Sequence, residues 1–274
     1  MLLTGGFMLV EVAGGLMSGS LALLADAGHM LTDTAALFFA WLAFRLARRP
    51  ADPQRSYGYH RFQILAAFLN GVVLIVIVMW IVFEAVQRLN APVEILGGLM
   101  LAVASVGLVI NVIAFAILHG GNRKNLNLRS AALHVLGDLL GSLAAMIAAV
   151  VIMATGWTPI DPLLSLLVAL LILRSAWMVV RQSTHVLLEG TPSEIDVSQL
   201  KSELVDRVPE VDDVHHVHVW TLASGKLVMT LHAHVRTDAD GEQVLRALVS
   251  LCRQRFGVDH VTIQIEHGRC ADVA

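Results

Sequence analysis

Long apolar runs separated by short polar connections dominate the first two-thirds of this sequence. A helix needs about 20 mostly apolar residues to cross a bilayer. Six stretches fit that length, and we predict spanning helices over residues 2–24, 26–48, 61–88, 94–118, 126–154 and 160–184. Only 15% of the residues are charged, and most of the charges lie outside these runs. The pattern is that of an integral membrane protein.

Basic residues are distributed unevenly among the connections between these runs. The 2–3 connection carries five arginines and the 4–5 connection carries Arg123, Lys124 and Arg129, whereas the 1–2 and 5–6 junctions carry no basic residue. Because cytoplasmic loops are enriched in Lys and Arg, we predict both termini in the cytoplasm. The chain begins inside an apolar run, so we expect a longer polar N-terminus. We expect no cleavable signal peptide, because no basic stretch precedes the first run.

The composition changes after the segment Glu189-Gly190-Thr191-Pro192, which divides the chain into 1–188 and 189–274. Ser193 and Asp196 match a capping box for a helix to about Val208. Alternating residues predict strands over 214–222 and 227–236, followed by a helix over 239–256 and a strand over 260–266. This αββαβ order is typical of an α+β domain. The fold class is therefore a six-helix transmembrane bundle with a C-terminal α+β domain.

Two HxxxD motifs lie inside predicted spans and pair His29 with Asp33 and His134 with Asp138. Residues four apart share one face of a helix, so each helix presents an imidazole and a carboxylate together. Two such faces would supply two nitrogen and two oxygen ligands, a set that suits tetrahedral Zn²⁺. Ionisable groups inside a bilayer are costly and usually functional. The structural alternative is a pair of interhelical hydrogen bonds.

Two further acidic residues stand close to these motifs. Asp26 lies one turn before His29, and Asp161 opens the sixth span. Each is either a vestibule or supporting group for the metal ligands or the N-cap of its own helix.

The sequence resembles the cation diffusion facilitators, in their zinc-preferring bacterial branch. The resemblance rests on the segments Ser20–Asp33, Arg55–Arg61 and Ser130–Asp138, and covers nearly the whole chain. It implies six spans, a cytoplasmic metallochaperone-like domain, a homodimer in the bacterial inner membrane, and exchange of metal for protons. The transport site of the family falls on His29, Asp33, His134 and Asp138.

The resemblance also implies three accessory features. A loop metal site would use Asp52 and His60, although two loop histidines of some members are replaced here by Arg55 and Tyr59. A C-terminal metal site would use His215, His234 and Glu266, chosen from five clustered histidines, and strand parity admits His215 only if the strand begins there or bulges. A basic–acidic interlock between Arg61 and Glu189 would join the membrane helices to the C-terminal domain across the dimer.

These features favour a proton-coupled exporter of zinc, with zinc as substrate and as a regulatory ion, over other classes of protein. A membrane metalloprotease would need an HExxH-type pair or a separate general base, and the sequence has neither, so we expect no enzyme. The net charge of −3 offers no basic face for nucleic acid. Cys252 and Cys270 show no CxxC spacing, and we expect ordinary reduced thiols. Export of Cd²⁺, Co²⁺ or Ni²⁺ and metal sensing without transport stay open as alternatives.

Overall fold

The computed structural model describes the backbone of residues 2–47, 49–119, 126–223, 225–268 and 270. Within these ranges it leaves undescribed the side chains of residues 2–4, 33, 36–37, 40, 43–44, 47, 117–119, 126–134 and 136. The chain divides into two compact units. One comprises Met1–Leu42 with Ala66–Val180, and the other comprises Ala43–Leu65 with Arg181–Ala274.

Six long helices account for most of the first 187 residues. They are α1 (Leu2–Ser18), α2 (Leu21–Ala47), α3 (Phe62–Asn90), α4 (Gly97–His119), α5 (Leu126–Thr155) and α6 (Ile160–Leu187). Among the described residues, four stretches are long and apolar enough to cross a membrane, within α3, α4, α5 and α6, and two shorter apolar stretches lie in α1 and α2. Six apolar helices followed by an α+β domain confirm the predicted fold class.

The junction between α1 and α2 differs from the sequence prediction. The first helix ends at Ser18 rather than residue 24, because Gly19 adopts a left-handed φ of 75° and turns the chain. Asp161 of α6 then caps the next helix, since its carboxylate accepts hydrogen bonds from Leu21 N at 2.7 Å and from the Ser20 hydroxyl at 2.6 Å. Asp161 therefore contributes to the cap of α2, and Asp26 lies inside α2 rather than at its N-terminus.

Two apolar clusters hold the helices of the first unit together. One joins Leu21, Val78 and Ile81 with residues of α6, and the other joins Met100 and neighbours on α4 with the alanines of α5. Large apolar side chains on the outer faces are exposed, as expected for helices in contact with lipid; examples are Val76, Phe83, Leu170 and Leu171.

The C-terminal domain follows as α7 (Val197–Arg207), β1 (Val211–Ala223), β2 (Lys226–Val235), α8 (Gly241–Phe256) and β3 (His260–Glu266). β2 lies at the centre of the sheet, antiparallel to β1 and parallel to β3. The two helices cover one face through a core that includes Leu200, Leu204, Met229, Leu231 and Leu248. The other face of the sheet is left to polar residues. Asp196 is the N-cap of α7, and its side chain accepts hydrogen bonds from the backbone amides of Ser198 and Gln199. The prediction that Ser193 forms a capping box with Asp196 is therefore corrected.

A β-bulge reverses the side-chain alternation of β1. His215 pairs with His232 and His218 pairs with Thr230, so three steps along β1 oppose two along β2. His216 supplies the extra residue and has a left-handed φ of 48°. The bulge allows His215 and His218 to lie on the same polar face, which the strict alternation of a regular strand forbids.

The segment that leads from α6 into the C-terminal domain is a Schellman turn. Gly190 N donates to His185 O at 2.9 Å and Glu189 N donates to Val186 O at 3.2 Å. Glu189 occupies the left-handed position of this turn with φ 58°, where glycine is the usual residue. A non-glycine residue held in this conformation costs about 1 kcal/mol, and its side chain makes the ion pair described below.

Candidate metal centres

A cavity of about 500 Å³ opens among α2, α5 and α6 in the first unit. Its polar lining comes from Asp26 and His29 of α2, Asp138 of α5 and Ser175 of α6, and the rest is largely apolar. Gly137 also lines it, and none of the described residues lies within 4 Å of the position where its Cβ would be. The absent side chain keeps space open beside Asp138.

His29 and Asp138 face each other across this cavity. The His29 Nε2 atom lies 3.8 Å from the Asp138 Oδ1 atom, and both side chains are largely shielded from solvent. In a tetrahedral zinc site with bonds of about 2.0–2.2 Å, neighbouring ligand atoms are about 3.3–3.6 Å apart. One histidine and one aspartate from different helices are therefore spaced to share a single ion.

The other two members of the proposed transport site lie on the same two helices. Asp33 follows His29 by one turn of α2, and His134 precedes Asp138 by one turn of α5. Their side chains lie outside the described residues.

Glu11 is a buried acidic residue that the sequence analysis passed over. It lies in the middle of α1, is 1% exposed, and its carboxyl group interacts with that of Asp26. The sequence signal was available, because an isolated acid within an apolar run marks a functional position. Asp26 thus connects the cavity to a second acidic group.

A tighter cluster lies on the polar face of the C-terminal sheet. The Glu266 carboxylate is 3.1 Å from His215 Nε2 and 3.0 Å from His232 Nδ1, and Cys270 Sγ is 3.5 Å from the same His232 nitrogen. One ligand atom from each of these four residues lies within 4.8 Å of the others. Asp213 Oδ2 contacts the other ring nitrogen of His215 at 2.9 Å. A carboxylate behind a histidine is the usual support for a metal-binding imidazole.

This donor set fits a zinc ion. Two imidazole nitrogens, one carboxylate oxygen and one thiolate are all ligands that structural zinc accepts, and their spacing requires only small movements to reach tetrahedral geometry. His216 stacks on His232 with ring centroids 5.0 Å apart. The stacked His216 ring therefore packs against one face of the His232 ring.

The composition of the cluster differs from the predicted set. His215 and Glu266 are in it, but His232 stands where His234 was expected, and His234 Nδ1 instead lies 3.5 Å from Asp212. Sequence reasoning missed Cys270, because it is 38 residues from the histidine that it contacts. Cys252 is the ordinary buried residue that was expected, and burial raises the pKa of its thiol to about 11.

The two residues of the predicted loop site do not meet each other. Asp52 accepts hydrogen bonds from the Tyr59 hydroxyl at 2.8 Å and from the amide of Arg55 at 2.8 Å. The Tyr59 hydroxyl is the main reason that the pKa of Asp52 is lowered from its usual value. His60 Nε2 instead lies 3.3 Å from the Lys226 ammonium. A positive charge at that nitrogen opposes the binding of a metal ion there.

The predicted interlock residues lie in contact within one chain. Arg61 Nη2 donates to Glu189 Oε1 at 2.8 Å, between the residue before α3 and the left-handed residue after α6. Both side chains are more than one-third exposed, 37% and 57%. The Arg61 Nε atom is buried, and no hydrogen-bond partner for it is found among the described residues.

Comparison with known proteins places both parts of the chain. A family model of the cation efflux transmembrane domain matches residues 1–188, and a model of the cation efflux protein cytoplasmic domain matches residues 192–268. The zinc transporter ZitB of Escherichia coli (strain K12) is 52% identical over 268 residues, which cover 97% of this chain and 85% of that protein.

Two other relatives carry names with a wider range of metals. The cadmium, cobalt and zinc/H(+)-K(+) antiporter of Bacillus subtilis (strain 168) is 42% identical over 266 residues, covering 95% of this chain and 85% of that protein. The metal cation efflux system protein CzcD of Cupriavidus metallidurans is 41% identical over 275 residues, covering 99% of this chain and 87% of that protein.

Proposed function

The chain belongs to the cation efflux family, the cation diffusion facilitators, and from this premise we propose that it exports Zn²⁺ from the cytoplasm in exchange for protons. The observation that carries the proposal is the approach of His29 and Asp138, from two different helices, to 3.8 Å across one cavity in the membrane unit. We assign the transport site to these residues together with Asp33 and His134.

The choice of zinc rests on the donor set. Two imidazoles and two carboxylates suit a borderline ion that accepts tetrahedral geometry, whereas an all-oxygen site favours harder ions. The name of the Escherichia coli relative supports the same metal. Cadmium and cobalt, which appear in the name of a Bacillus relative, and nickel are the alternative substrates.

Proton exchange follows from the chemistry of the ligands. A zinc ligand must be deprotonated, so zinc binding releases protons and falling pH weakens binding. Ligands that share one ion are coupled in their binding of protons, and histidine is the side chain whose charge normally changes between pH 5 and 8. Zinc entering from the cytoplasm displaces protons, and protons entering from the other side then displace zinc. Alternating access of the cavity to the two sides couples both steps.

We further propose that the protein is a homodimer in the bacterial inner membrane, with both termini in the cytoplasm. The basic residues of the 2–3 and 4–5 connections support this orientation. The C-terminal cluster of His215, His232, Glu266 and Cys270 would hold a resident zinc ion in this cytoplasmic domain. An ion that joins β1 and β2 to β3 and to the chain beyond it would stabilise the domain when cytoplasmic zinc rises.

Transport in proteoliposomes tests the central proposal. The purified protein is reconstituted with a zinc-sensitive dye and a pH-sensitive dye trapped inside, and a pH difference is imposed across the membrane. We expect zinc to accumulate against its gradient while protons move in the opposite direction. Empty liposomes and a His29→Ala variant serve as controls and should show no such accumulation. Zinc flux that does not depend on the pH difference would indicate a passive channel instead of an antiporter. Zinc binding without any flux would leave a metal sensor.

A substitution at His29 tests the choice of zinc. His29→Asp replaces a nitrogen donor with an oxygen donor and should widen the metal range, so that uptake of Cd²⁺ or Mn²⁺ rises relative to Zn²⁺. The matched control is His218→Asp, which makes the same chemical change on an exposed strand position. An unchanged order of preference among metals would show that His29 does not contact the transported ion.

A further inference from the structure

A separate cleft lies in the unit that combines the connection between α2 and α3 with the C-terminal domain. Its volume is about 830 Å³. It lies between two segments that are far apart in the sequence, residues 49–60 of the connection and residues 222–228 at the β1–β2 hairpin, with residues 259–260 beside them. None of the metal ligands assigned above to the transport site or to the C-terminal cluster lines this cleft.

The cleft carries an excess of positive charge. Arg49 and Lys226 both line it, and Asp259 is the one carboxylate among its lining residues. Within the part of the chain that the structure describes, no ion pair joins Arg49 or Lys226 to a carboxylate, whereas the neighbouring Arg55 is paired with Asp52 at 3.6 Å. Cations that outnumber the carboxylates on a concave surface attract an anion.

Two histidines line the cleft beside these cations. Lys226 Nζ lies 3.3 Å from His60 Nε2, and an ammonium group can only donate hydrogen bonds. This nitrogen of His60 therefore accepts from lysine and is not available to a metal. His260 lies against the ring of Tyr57, with centroids 6.1 Å apart, at the other side of the cleft. Ammonium and guanidinium groups with imidazole and phenol donors are the usual ligands of phosphate.

The cleft begins where the chain leaves the membrane. Arg49 follows the end of α2 at Ala47 by two residues, and His60 precedes the start of α3 at Phe62 by two residues. Residues this close to the ends of spanning helices lie at the depth of the lipid headgroups. Basic residues in such a position attract anionic lipids, each contributing roughly a fivefold gain in binding.

We propose that this cleft binds a negatively charged phosphate group through Arg49, Lys226 and the adjacent imidazoles, and that an anionic phospholipid headgroup supplies it. The bound headgroup would link the 2–3 connection to the hairpin of the C-terminal domain. A soluble phosphate compound offers the same chemistry, and the experiment below distinguishes the two sources.

Native mass spectrometry of the full-length protein in detergent and metal-free buffer measures the binding. Phosphatidylglycerol and phosphatidylcholine are added in parallel, and inorganic phosphate is titrated separately by calorimetry. Arg49→Gln and Lys226→Gln should each weaken phosphatidylglycerol binding by about fivefold, and the double variant by about 25-fold. Lys226→Arg keeps the charge and should bind as the native protein does.

The controls remove the same charge elsewhere in the same unit. Arg55→Gln lies in the same connection but outside the cleft lining, and Lys201→Gln lies on α7. Both should bind phosphatidylglycerol like the native protein. If inorganic phosphate binds and displaces the lipid, and the cleft variants bind neither, the cleft is a phosphate site whose ligand is a soluble compound rather than a lipid headgroup. Equal losses in cleft and control variants, or equal binding of phosphatidylcholine and phosphatidylglycerol, would overturn the proposal.

Discussion

The two candidate metal centres of this chain differ in how closely their ligands are held. In the membrane unit, His29 and Asp138 stand 3.8 Å apart beside a cavity of about 500 Å³. In the C-terminal domain, Glu266 contacts two histidines at 3.0–3.1 Å, and Asp213 and His216 hold the rings in place. One centre has room for its ligands to move, and the other has its ligands already in position.

This difference matches the roles proposed for the two centres. A site that carries an ion across a membrane has to release it, so a loose arrangement in an open cavity favours turnover over affinity. A site for a resident ion gains affinity from ligands that are fixed before the ion arrives. Both centres use histidine with a carboxylate, and the supporting contacts described at the C-terminal centre match the role proposed for it.

The largest expected effect is at the membrane centre. His29→Ala, Asp33→Ala, His134→Ala or Asp138→Ala should each lower the rate of zinc uptake into proteoliposomes by about 100-fold or more, because each removes one of four ligands. Expression and dimer formation should stay near those of the native protein. His218→Ala is the matched control. Full zinc flux in any two of the four variants would show that these residues do not form the transport site.

A smaller effect, in a different measurement, is expected at the C-terminal centre. Cys270→Ser and His232→Ala should each weaken zinc binding by the C-terminal cluster by roughly 10- to 100-fold in calorimetry, while the maximal rate of uptake changes far less. His234→Ala is the control, because His234 contacts Asp212 and is outside the cluster. If His234→Ala weakens binding and His232→Ala does not, the cluster seen in this structure is not the bound arrangement.

The contact between Arg61 and Glu189 should contribute modestly. Because both side chains are more than one-third exposed, a double-mutant cycle with Arg61→Ala and Glu189→Ala should give a coupling of about 0–1 kcal/mol in thermal stability. The Glu189→Gly variant distinguishes the contribution of the side chain to stability from that of the backbone. Glycine removes the carboxylate, as alanine does, and it also relieves the strain of the left-handed φ. It should therefore be more stable than Glu189→Ala. Equal stability of these two variants would mean that the turn stores no strain.

The smallest effect concerns the loop between α2 and α3. The hydroxyl of Tyr59 is the main cause of the lowered pKa of Asp52, so Tyr59→Phe should raise that pKa toward its usual value. A lowered folded-state pKa adds stability above the unfolded-state value of about 3.9, and this stability is lost as the pH falls through the folded-state pKa. Carbon NMR of labelled aspartate would follow the titration, with Tyr57→Phe as the control. An unchanged titration would place the cause in the backbone amides instead.

The sequence determined the number and order of the elements. Six apolar runs and the αββαβ order are confirmed, and β3 has the predicted limits, His260–Glu266. Apolar length and side-chain periodicity are local properties, which a single segment expresses without its neighbours. For the same reason the HxxxD spacing predicts two helix faces that each carry a histidine and an aspartate, and their joint role as a transport site stays a prediction.

Tertiary structure decided which distant residues meet. His216 bulges out of β1 and moves His215 to the face of His232, and the chain beyond β3 brings Cys270 to the same place. Asp161 caps a helix that begins 140 residues earlier. Parity along a strand is lost at a bulge, and a cap can come from any part of the chain, so neither follows from local periodicity. Each depends on packing between elements, which only the folded chain provides.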